Sequence, residues 1–302
     1  MIKVLVLMST YNGEKYIRDQ IDSILGQDKC SVDLLVRDDG STDKTTTILD
    51  ELMEQGKLKW YSGDNLRPGK SFMNLLVSAS SDYDYYAFAD QDDIWKKDKL
   101  YAAAKMIGKT DRPALYCGNA MLVDNNLSEL GLCNRYILNP NLVGVLVGGG
   151  IQGATIVMNK ALKKCFGENI LSEDVKMHDY YVTCVCLSIG GKVLYDQVPY
   201  LMYRQHGGNV IGVNKSIVGT IKKRYEMMTN SDKSFDIEKT SENILRDFST
   251  RIGTEERSIL EKTANYKKNI ANRFYIMRNP GVGLGRTNIR IALSIGILLG
   301  KI

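Results

Sequence analysis

The sequence predicts an α/β protein with a mostly parallel central sheet, helices on both faces and a C-terminal helical region. Strand-like apolar runs alternate with amphipathic, helix-like segments over the first ninety residues, as in chains that build parallel sheets. The first run, KVLVLMS at residues 3–9, is almost entirely apolar, which is typical of a strand buried on both faces. From Lys215 onward turn signals become rare and charged–apolar segments dominate, which favours helices.

The first half of the chain reads as four strands with helices between them. After the strand at 3–9, an Asn-Gly turn precedes apolar residues at helical spacing, namely Tyr16, Ile17, Ile21, Ile24 and Leu25. The further predicted elements are a strand, turn and helix within 32–55, a strand at 57–63, a helix at 70–80 and a strand at 83–90.

The middle of the chain is less regular. It predicts strands at 113–124 and 153–159, a loop around 134–141, a helix within 176–191 and a last strand with a turn at 192–209. We therefore expect one α/β domain over residues 1–214 and a helical region over residues 215–302.

Charge is unevenly distributed along the 302 residues. The last 88 carry 17 Lys and Arg against 9 Asp and Glu, a net of +8, whereas residues 1–214 carry a net of −3. Such a tail is expected to meet something negative, either a membrane surface, another subunit in a possible homodimer, or a nucleic acid. Nucleic acid is not expected, because no recognised motif accompanies the charge.

The sequence also argues against several protein classes. Six cysteines without a CxxC pair and only two histidines exclude a zinc finger, and the cysteines are expected to be reduced core residues of a cytosolic protein. The N-terminus lacks the features of a signal peptide, and no apolar run of 18 residues occurs.

Polar groups follow three of the predicted parallel strands. In such sheets ligands bind beyond the carboxyl ends of the strands, so these groups are expected to converge on one rim. The candidate residues are Thr10 and Tyr11 in STYNG, Asp38 and Asp39 in RDDGSTD, and Asp90, Asp92 and Asp93 in ADQDD.

The acidic cluster has two interpretations. Asp90 and Asp92 are one residue apart and face the same side in extended geometry, which suits Mg²⁺ or Mn²⁺. Alternatively, Asp93 caps a helix beginning at Ile94 while the other two carboxylates are solvated. RDDGSTD could likewise be only a polar turn, and Tyr11 could be a core residue.

Six motifs in order resemble family 2 glycosyltransferases with the nucleotide-sugar-binding GT-A fold, and within that family the bacterial rhamnosyltransferases of cell-surface polysaccharide synthesis. They are STYNGEKYIRDQIDSIL, VRDDGSTDKT, ADQDDIWKKDKL, GATIVMN, MHDYY and YRQHGGN. The resemblance covers roughly residues 1 to 212, and the tail contributes little to it.

The resemblance implies how a nucleotide-sugar donor is bound. Tyr11 and Asp39 would hold the base by stacking and by accepting the imide hydrogen, with Thr10 and Asp38 lining the same pocket. Asp90 would lie near the ribose and the metal ion.

The resemblance also implies a Mn²⁺ or Mg²⁺ site at the diphosphate. Asp92 would bind the cation, and His206 is a candidate second ligand, the alternative being a hydrogen bond to phosphate or to loop backbone. In NLRPGKS, Arg67 or Lys70 could help to neutralise the diphosphate, unless that loop is simply solvated.

Asp179 in MHDYY would be the catalytic base that takes the acceptor's proton. His178 would orient it or be merely packed. Tyr180 and Tyr181 replace the Trp usual in the family, and Tyr180 would contact the acceptor. Gly153 would allow a close approach of backbone to sugar or acceptor, and Arg204 is a phosphate candidate.

Together these roles imply an inverting, metal-dependent transfer of L-rhamnose from dTDP-rhamnose to a cell-wall or surface polysaccharide acceptor that is lipid-linked. The alternatives are a UDP-hexose or UDP-hexosamine transferase of the same fold, and a non-catalytic nucleotide-sugar-binding scaffold. The expected location is the cytoplasm, peripherally on the inner face of the cell membrane.

Two parts of the tail favour contact with anionic lipid. One is the basic cluster Lys222, Lys223 and Arg224, and the other is the basic, apolar end RTNIRIALSIGILLGKI. The simpler alternative is an ordinary helix packed on the body of the protein or on a second subunit.

Overall fold

The computed structural model describes residues 1–167, 175–206 and 236–301. The predicted domain boundary after residue 214 and the basic cluster at Lys222, Lys223 and Arg224 lie outside these ranges. The boundary therefore stays a prediction, and the helical nature of the tail is tested only from residue 236.

Nine strands in the described ranges form a single mixed sheet. They are β1 (Ile2–Thr10), β2 (Cys30–Asp38), β3 (Lys59–Ser62), β4 (Tyr85–Ala89), β5 (Ile94–Trp95), β6 (Ala114–Val123), β7 (Glu129–Leu132), β8 (Val157–Asn159) and β9 (Lys192–Arg204). Their spatial order is β3-β2-β1-β4-β8-β6-β9-β5, and β7 pairs with β6 off this path.

The first four strands form the parallel half of the sheet. β1 lies between β2 and β4 and is parallel to both, and β3 extends the parallel array beyond β2. The register places Thr10 opposite Asp38 and Met8 opposite Ala89. The carboxyl ends of β1, β2 and β4 therefore meet at one edge of the sheet.

The second half of the sheet is mixed. β8 runs antiparallel to both β4 and β6, whereas β9 runs parallel to β6. β5 and β7 are short antiparallel additions to β9 and β6. The α/β class with a central sheet is confirmed, and the antiparallel additions β5 and β7 are features that the sequence did not predict.

The described helices cover both faces of the sheet and continue through the tail. They are α1 (Ile17–Leu25), α2 (Thr45–Glu54), α3 (Arg67–Ser78), α4 (Lys99–Ile107), α5 (Leu142–Gly148), α6 (Lys160–Lys163), α7 (His178–Ser188), α8 (Ile237–Asp247), α9 (Thr254–Ala264), α10 (Ile270–Arg278) and α11 (Thr287–Leu298), with a 3₁₀ turn at Gly153–Thr155. The helical tail is confirmed over the described residues.

Alternate residues of β1 enter two hydrophobic cores, one on each face of the sheet. Leu5 and Leu7 pack in the core that also contains residues of α3, α5 and α7. Val4, Val6 and Met8 pack in the other, against residues of α1, α2 and α4. Burial on both faces explains why the sequence of this strand is an unbroken apolar run.

The C-terminal helices share the first of these cores. Ile244 of α8, Leu260 of α9, Ile276 of α10 and Leu293 of α11 all belong to the same buried cluster as Leu7 in the sheet. The C-terminal helices and the α/β body thus share one hydrophobic core.

The membrane-spanning potential of the helices is low. Among the described residues, no helix combines the length and the apolar character that crossing a bilayer requires.

Candidate active site

The end of β1 is tied to the residues that follow β4 by Gln91. Its Oε1 accepts hydrogen bonds from the Thr10 hydroxyl and from the Tyr11 backbone N–H, the latter at 2.9 Å. Its Nε2 donates to the Tyr11 carbonyl at 3.1 Å. Tyr11 is 48% exposed, so the core-packing alternative for this residue is wrong, and its ring is open for stacking. Sequence reasoning missed Gln91.

Asp38 shapes the loop after β2. Its carboxylate is fully buried and accepts the backbone N–H groups of Gly40 and Ser41 at 3.0 and 2.9 Å, together with the Ser41 hydroxyl. These local bonds hold the turn that places the next residue, Asp39, at the rim.

Asp39 is buried beside a cation that the sequence reading did not assign. Arg37 forms an ion pair with it, the Ser71 hydroxyl donates to it at 2.7 Å, and the Leu66 backbone N–H donates at 3.1 Å. Arg37 and Asp39 are two residues apart at the end of a strand, which puts their side chains on one side. The carboxylate thus fixes the loop that leads into α3.

Arg67 and Lys70 are exposed in the first turn of α3, next to this loop. A helix N-terminus favours anions, and both cations lie where they would add to that effect. Their predicted phosphate contacts stay predictions.

The three carboxylates after β4 have three different environments. Asp90 is partly exposed, and burial together with the charges of Asp92 and Asp179 raises its pKa to about 7. Asp92 Oδ2 lies 2.8 Å from Nε2 of His206. Asp93 is fully buried, and its Oδ1 accepts the Arg204 backbone N–H at 3.1 Å.

The helix-cap interpretation of Asp93 is wrong. Ile94 and Trp95 form β5, and α4 begins only at Lys99. The buried carboxylate instead holds the end of β9 against the acidic cluster through its bond to Arg204. Burial raises the pKa of Asp93 well above its ordinary value.

Arg204 ties together the segments around the acidic cluster. Its Nε donates to the Asp92 carbonyl and its Nη1 to the Asn125 carbonyl, both at 2.9 Å, and its guanidinium lies 4.6 Å from the ring centre of Tyr16. It is also almost completely buried. The expected phosphate contact therefore has no support from the geometry, since the guanidinium faces protein carbonyls.

His206 stands directly against Asp92, as expected of two ligands of one cation. Its ring also stacks on Tyr16 at 5.2 Å, which fixes its orientation. No group of three or more acidic, histidine or cysteine ligands occurs in the parts of the chain that the structure describes. Two protein ligands nevertheless suit Mg²⁺ or Mn²⁺, which commonly complete their shell with phosphate oxygens and water. The residues present therefore fit a divalent cation shared with a diphosphate.

Asp179 lies in the first turn of α7 and is 6% exposed. Its carboxylate accepts the Tyr180 backbone N–H at 2.7 Å and a further backbone hydrogen bond from Gly153. Burial outweighs these bonds and raises the pKa of Asp179 to about 6. Its charge also raises the pKa of Asp90, so α7 and the acidic cluster approach each other at this point.

His178 is packed in the core and does not orient Asp179 by a hydrogen bond. Its ring stacks on Phe72 at 3.9 Å and meets the edge of Phe88 at 4.8 Å. Within the described residues neither ring nitrogen has a hydrogen-bond partner. Burial lowers the pKa of His178 to about 3, so the ring is neutral. Of the two alternatives for this residue, packing is the one that the structure supports.

Tyr180 is also a core residue. Its ring is buried, and its hydroxyl donates to the Leu146 carbonyl of α5 at 2.9 Å. The expected acceptor contact is therefore wrong for the described geometry, because the side chain points into the interior between α7 and α5.

Gly153 lies at a close approach between its backbone and α7. A Cβ on this residue would come 2.7 Å from Nε2 of His178 and 3.4 Å from Cβ of Asp179. That histidine ring is buried and packed between Phe72 and Phe88. Glycine is therefore required where the backbone donates to the catalytic candidate.

We expect Gly153→Ala to lower the free energy of unfolding by about 1–3 kcal/mol, the usual cost of overpacking a core, and to reduce turnover by displacing Asp179. Thermal unfolding and kcat would measure the two effects. Gly167→Ala is the matched control, because an added Cβ there meets nothing within 4 Å. Equal behaviour of the two variants would contradict the close approach.

The family follows from a sequence comparison. Residues 5–166, more than half of the chain, match the family model described as Glycosyl transferase family 2. The chain belongs to glycosyltransferase family 2. This glycosyltransferase is therefore an enzyme, which argues against the alternative of a non-catalytic scaffold.

Two relatives of this glycosyltransferase act in the transfer of different sugars. The dTDP-rhamnosyl transferase RfbG of Shigella flexneri is 28% identical over 235 residues, covering 72% of this chain and 77% of the relative. The UDP-Glc:alpha-D-GlcNAc-diphosphoundecaprenol beta-1,3-glucosyltransferase WfgD of Escherichia coli is 26% identical over 181 residues, covering 59% and 67%. The resemblance to rhamnosyltransferases is confirmed.

Solved structures support the GT-A fold of this glycosyltransferase. Staphylococcus aureus TarS 1–349 in complex with UDP has a TM-score of 0.56 at 19% identity, with 99% of this chain and 92% of TarS covered. Its complex with UDP-GlcNAc has a TM-score of 0.55 at 18% identity, with coverages of 99% and 93%. At this identity the likeness shows the fold alone.

Proposed function

We propose that this glycosyltransferase moves L-rhamnose from dTDP-rhamnose to a lipid-linked acceptor of a surface or cell-wall polysaccharide, with inversion and with the help of Mn²⁺ or Mg²⁺. The observation that carries the proposal is that two groups act on the same carboxylate, Asp90, namely Asp92 with its partner His206 and the buried carboxylate of Asp179. The first suits a metal-bound diphosphate, and the second suits a general base.

The donor would lie along the carboxyl ends of β1, β2 and β4. The exposed ring of Tyr11 would stack on the base, and the neighbouring Thr10 pairs in register with Asp38, the residue before Asp39. Asp39 is already neutralised by Arg37, and its oxygens already accept hydrogen bonds from Ser71 and Leu66. A carboxylate has about four acceptor sites, so it can still receive an imide N–H.

Transfer would be a single displacement at the anomeric carbon. The Asp179 carboxylate takes the proton of the acceptor hydroxyl as that oxygen forms the new glycosidic bond. The bond to the nucleoside diphosphate breaks on the opposite face, so the configuration inverts. A cation bound by Asp92 and His206 would supply Lewis-acid stabilisation of the negative charge on the departing diphosphate.

The raised pKa of Asp179 predicts an acid limb in the pH profile. The carboxylate is the active form, so kcat should fall as pH decreases through about 6, where the buried group becomes protonated. The measurement is kcat against pH at saturating donor and acceptor, with donor binding followed separately to exclude loss of substrate. A kcat that stays constant well below pH 6 would contradict this role.

One relative supports the lipid-linked acceptor. The name of WfgD specifies a sugar on diphosphoundecaprenol as its acceptor. The same name specifies UDP-glucose as donor, which favours a UDP-hexose as the second candidate donor for this chain. A UDP-hexosamine remains in the same group of alternatives.

A panel of donors tests the proposal. Binding and slow hydrolysis of dTDP-rhamnose, UDP-glucose, UDP-galactose and UDP-N-acetylglucosamine would be compared with added Mn²⁺ and with EDTA. We expect dTDP-rhamnose to be preferred and EDTA to abolish hydrolysis. Preference for a UDP-sugar would show that the donor is that UDP-sugar and not dTDP-rhamnose. Hydrolysis unaffected by EDTA would reject the role of the metal.

A further inference from the structure

The last two helices of the chain expose an apolar surface. On α11, Ile291, Ile295 and Leu298 follow one another at spacings of four and three residues, and Leu299 adjoins them. Ile291 and Ile295 are 59% and 56% exposed. Such spacing places the side chains on one face of a helix. The opposite face, with Leu293 and Ile297, is buried in the core.

The neighbouring helix α10 extends this surface. Ile270 and Phe274, one turn apart, are both exposed. Between them, Arg273 donates from Nη1 to the Leu298 carbonyl at 2.9 Å, which joins α10 to the end of α11. We call these six residues the C-terminal patch, and they are Ile270, Phe274, Ile291, Ile295, Leu298 and Leu299. Adjoining exposed apolar side chains commonly mark an interaction site.

The charged residues in the segment that carries the C-terminal patch are all cations. Residues 262–302 contain eight Lys and Arg and no Asp or Glu. Arg278 and Lys301 are exposed at the ends of α10 and α11. Apolar side chains that enter the acyl region, flanked by cations that meet headgroups, are the combination by which a helix lies on an anionic bilayer.

The same charges argue against a second copy of the chain as the occupant. A two-fold interface would bring the C-terminal patch against itself, and with it two sets of these cations, of which Lys267 is paired with Glu238 of α8. We propose that the C-terminal patch docks this glycosyltransferase on an anionic phospholipid bilayer. This inference deepens the proposed function, since it rests on the lipid-linked acceptor named there.

The patch is connected to the active site through the turn between α10 and α11. Leu284 of that turn packs close to Gly144 of α5 and to Gly150, so an added Cβ at those glycines would meet its side chain. Gly150 begins the short segment that reaches Gly153, which donates to Asp179. Docking through the patch would bring the side of the active site that carries Asp179, where the proposed acceptor would enter, near the membrane.

An exposed loop lies beside the same turn. Ile137 is 71% exposed and Tyr136 is exposed with it. A Cβ on Gly285 would lie 3.7 Å from the Ile137 carbonyl. A second exposed apolar element therefore adjoins the start of α11, beside the turn that contacts Gly144 and Gly150.

Sedimentation with vesicles tests the proposal on the full chain. We expect binding to phosphatidylcholine vesicles that contain about one third phosphatidylglycerol, little binding to pure phosphatidylcholine, and weakening by salt. Ile291→Ser combined with Ile295→Ser should lower the partition coefficient by about tenfold or more. Met53→Ser combined with Val198→Ser is the matched control, since both residues are exposed apolar side chains outside the patch.

Three results would overturn the docking proposal. They are absence of binding to the anionic vesicles, equal binding by the patch variant and the wild type, and a wild-type dimer that the patch variant converts to a monomer. Donor hydrolysis without vesicles is measured in parallel. Hydrolysis without vesicle binding rejects docking alone, and vesicle binding without hydrolysis of any donor rejects the proposed function alone.

Discussion

Asp179→Asn is expected to reduce kcat by roughly 100- to 10,000-fold, the usual contribution of a general base. The amide has nearly the same shape and keeps an oxygen that can accept the Tyr180 and Gly153 backbone N–H groups. It cannot take the acceptor's proton. Steady-state transfer to the acceptor measures the loss. Donor affinity should be unchanged, because the role proposed for Asp179 is toward the acceptor and not the nucleotide.

Two further measurements make this result specific. Asp22→Asn changes an exposed aspartate of α1 and should leave turnover unaltered, which controls for the general effect of removing a carboxylate. Thermal unfolding of Asp179→Asn should be close to that of the wild type or slightly higher, since a buried charge is removed. A variant that retains wild-type kcat would remove Asp179 from the mechanism.

Asp92→Ala is expected to weaken both metal and donor binding, with kcat/KM for the donor lower by roughly 100- to 1,000-fold. The substitution removes the Asp92 carboxylate oxygen that lies 2.8 Å from His206 Nε2, and with it the negative charge that would hold the cation. Calorimetric titration of the donor in the presence of Mn²⁺ would measure the change. In EDTA, the wild type and the variant should bind the donor equally weakly.

His206→Ala provides a graded comparison with Asp92→Ala. It removes a neutral ligand and keeps the carboxylate, so the loss should be smaller and partly recovered at higher Mn²⁺ concentration. Asp28→Ala, at an exposed position on the loop before β2, is the control for removal of a carboxylate. Unchanged Mn²⁺ dependence in both site variants would contradict a metal at this pair.

The strand ends of the site were predictable because a parallel strand buried on both faces is a nearly continuous apolar run in the sequence. The apolar run before Thr10 and the run before Asp90 fix where β1 and β4 end, and parallel pairing brings those ends together. β5 could not be predicted in the same way. It is two residues long and continues directly from the acidic cluster, so it has no pattern of its own.

The errors at individual residues have local causes. MHDYY shows that Tyr180 follows Asp179, but successive residues on a helix point about 100° apart. One therefore faces the site and the other faces α5. Gln91 was missed because it binds the end of β1, eighty residues away in the sequence. The Arg37–Asp39 ion pair was missed because the sequence at a strand end does not show which of its charged side chains pair with each other.

The interior shared by the sheet and the C-terminal helices means that the last quarter of the chain is not a detachable module. A protein shortened before Ile237 would leave the apolar side chains of α7 and α5 facing water. The same two helices adjoin Asp179 and the segment from Gly150 to Gly153. Replacing this tail with another sequence would therefore also alter the packing behind α7, the helix that carries Asp179.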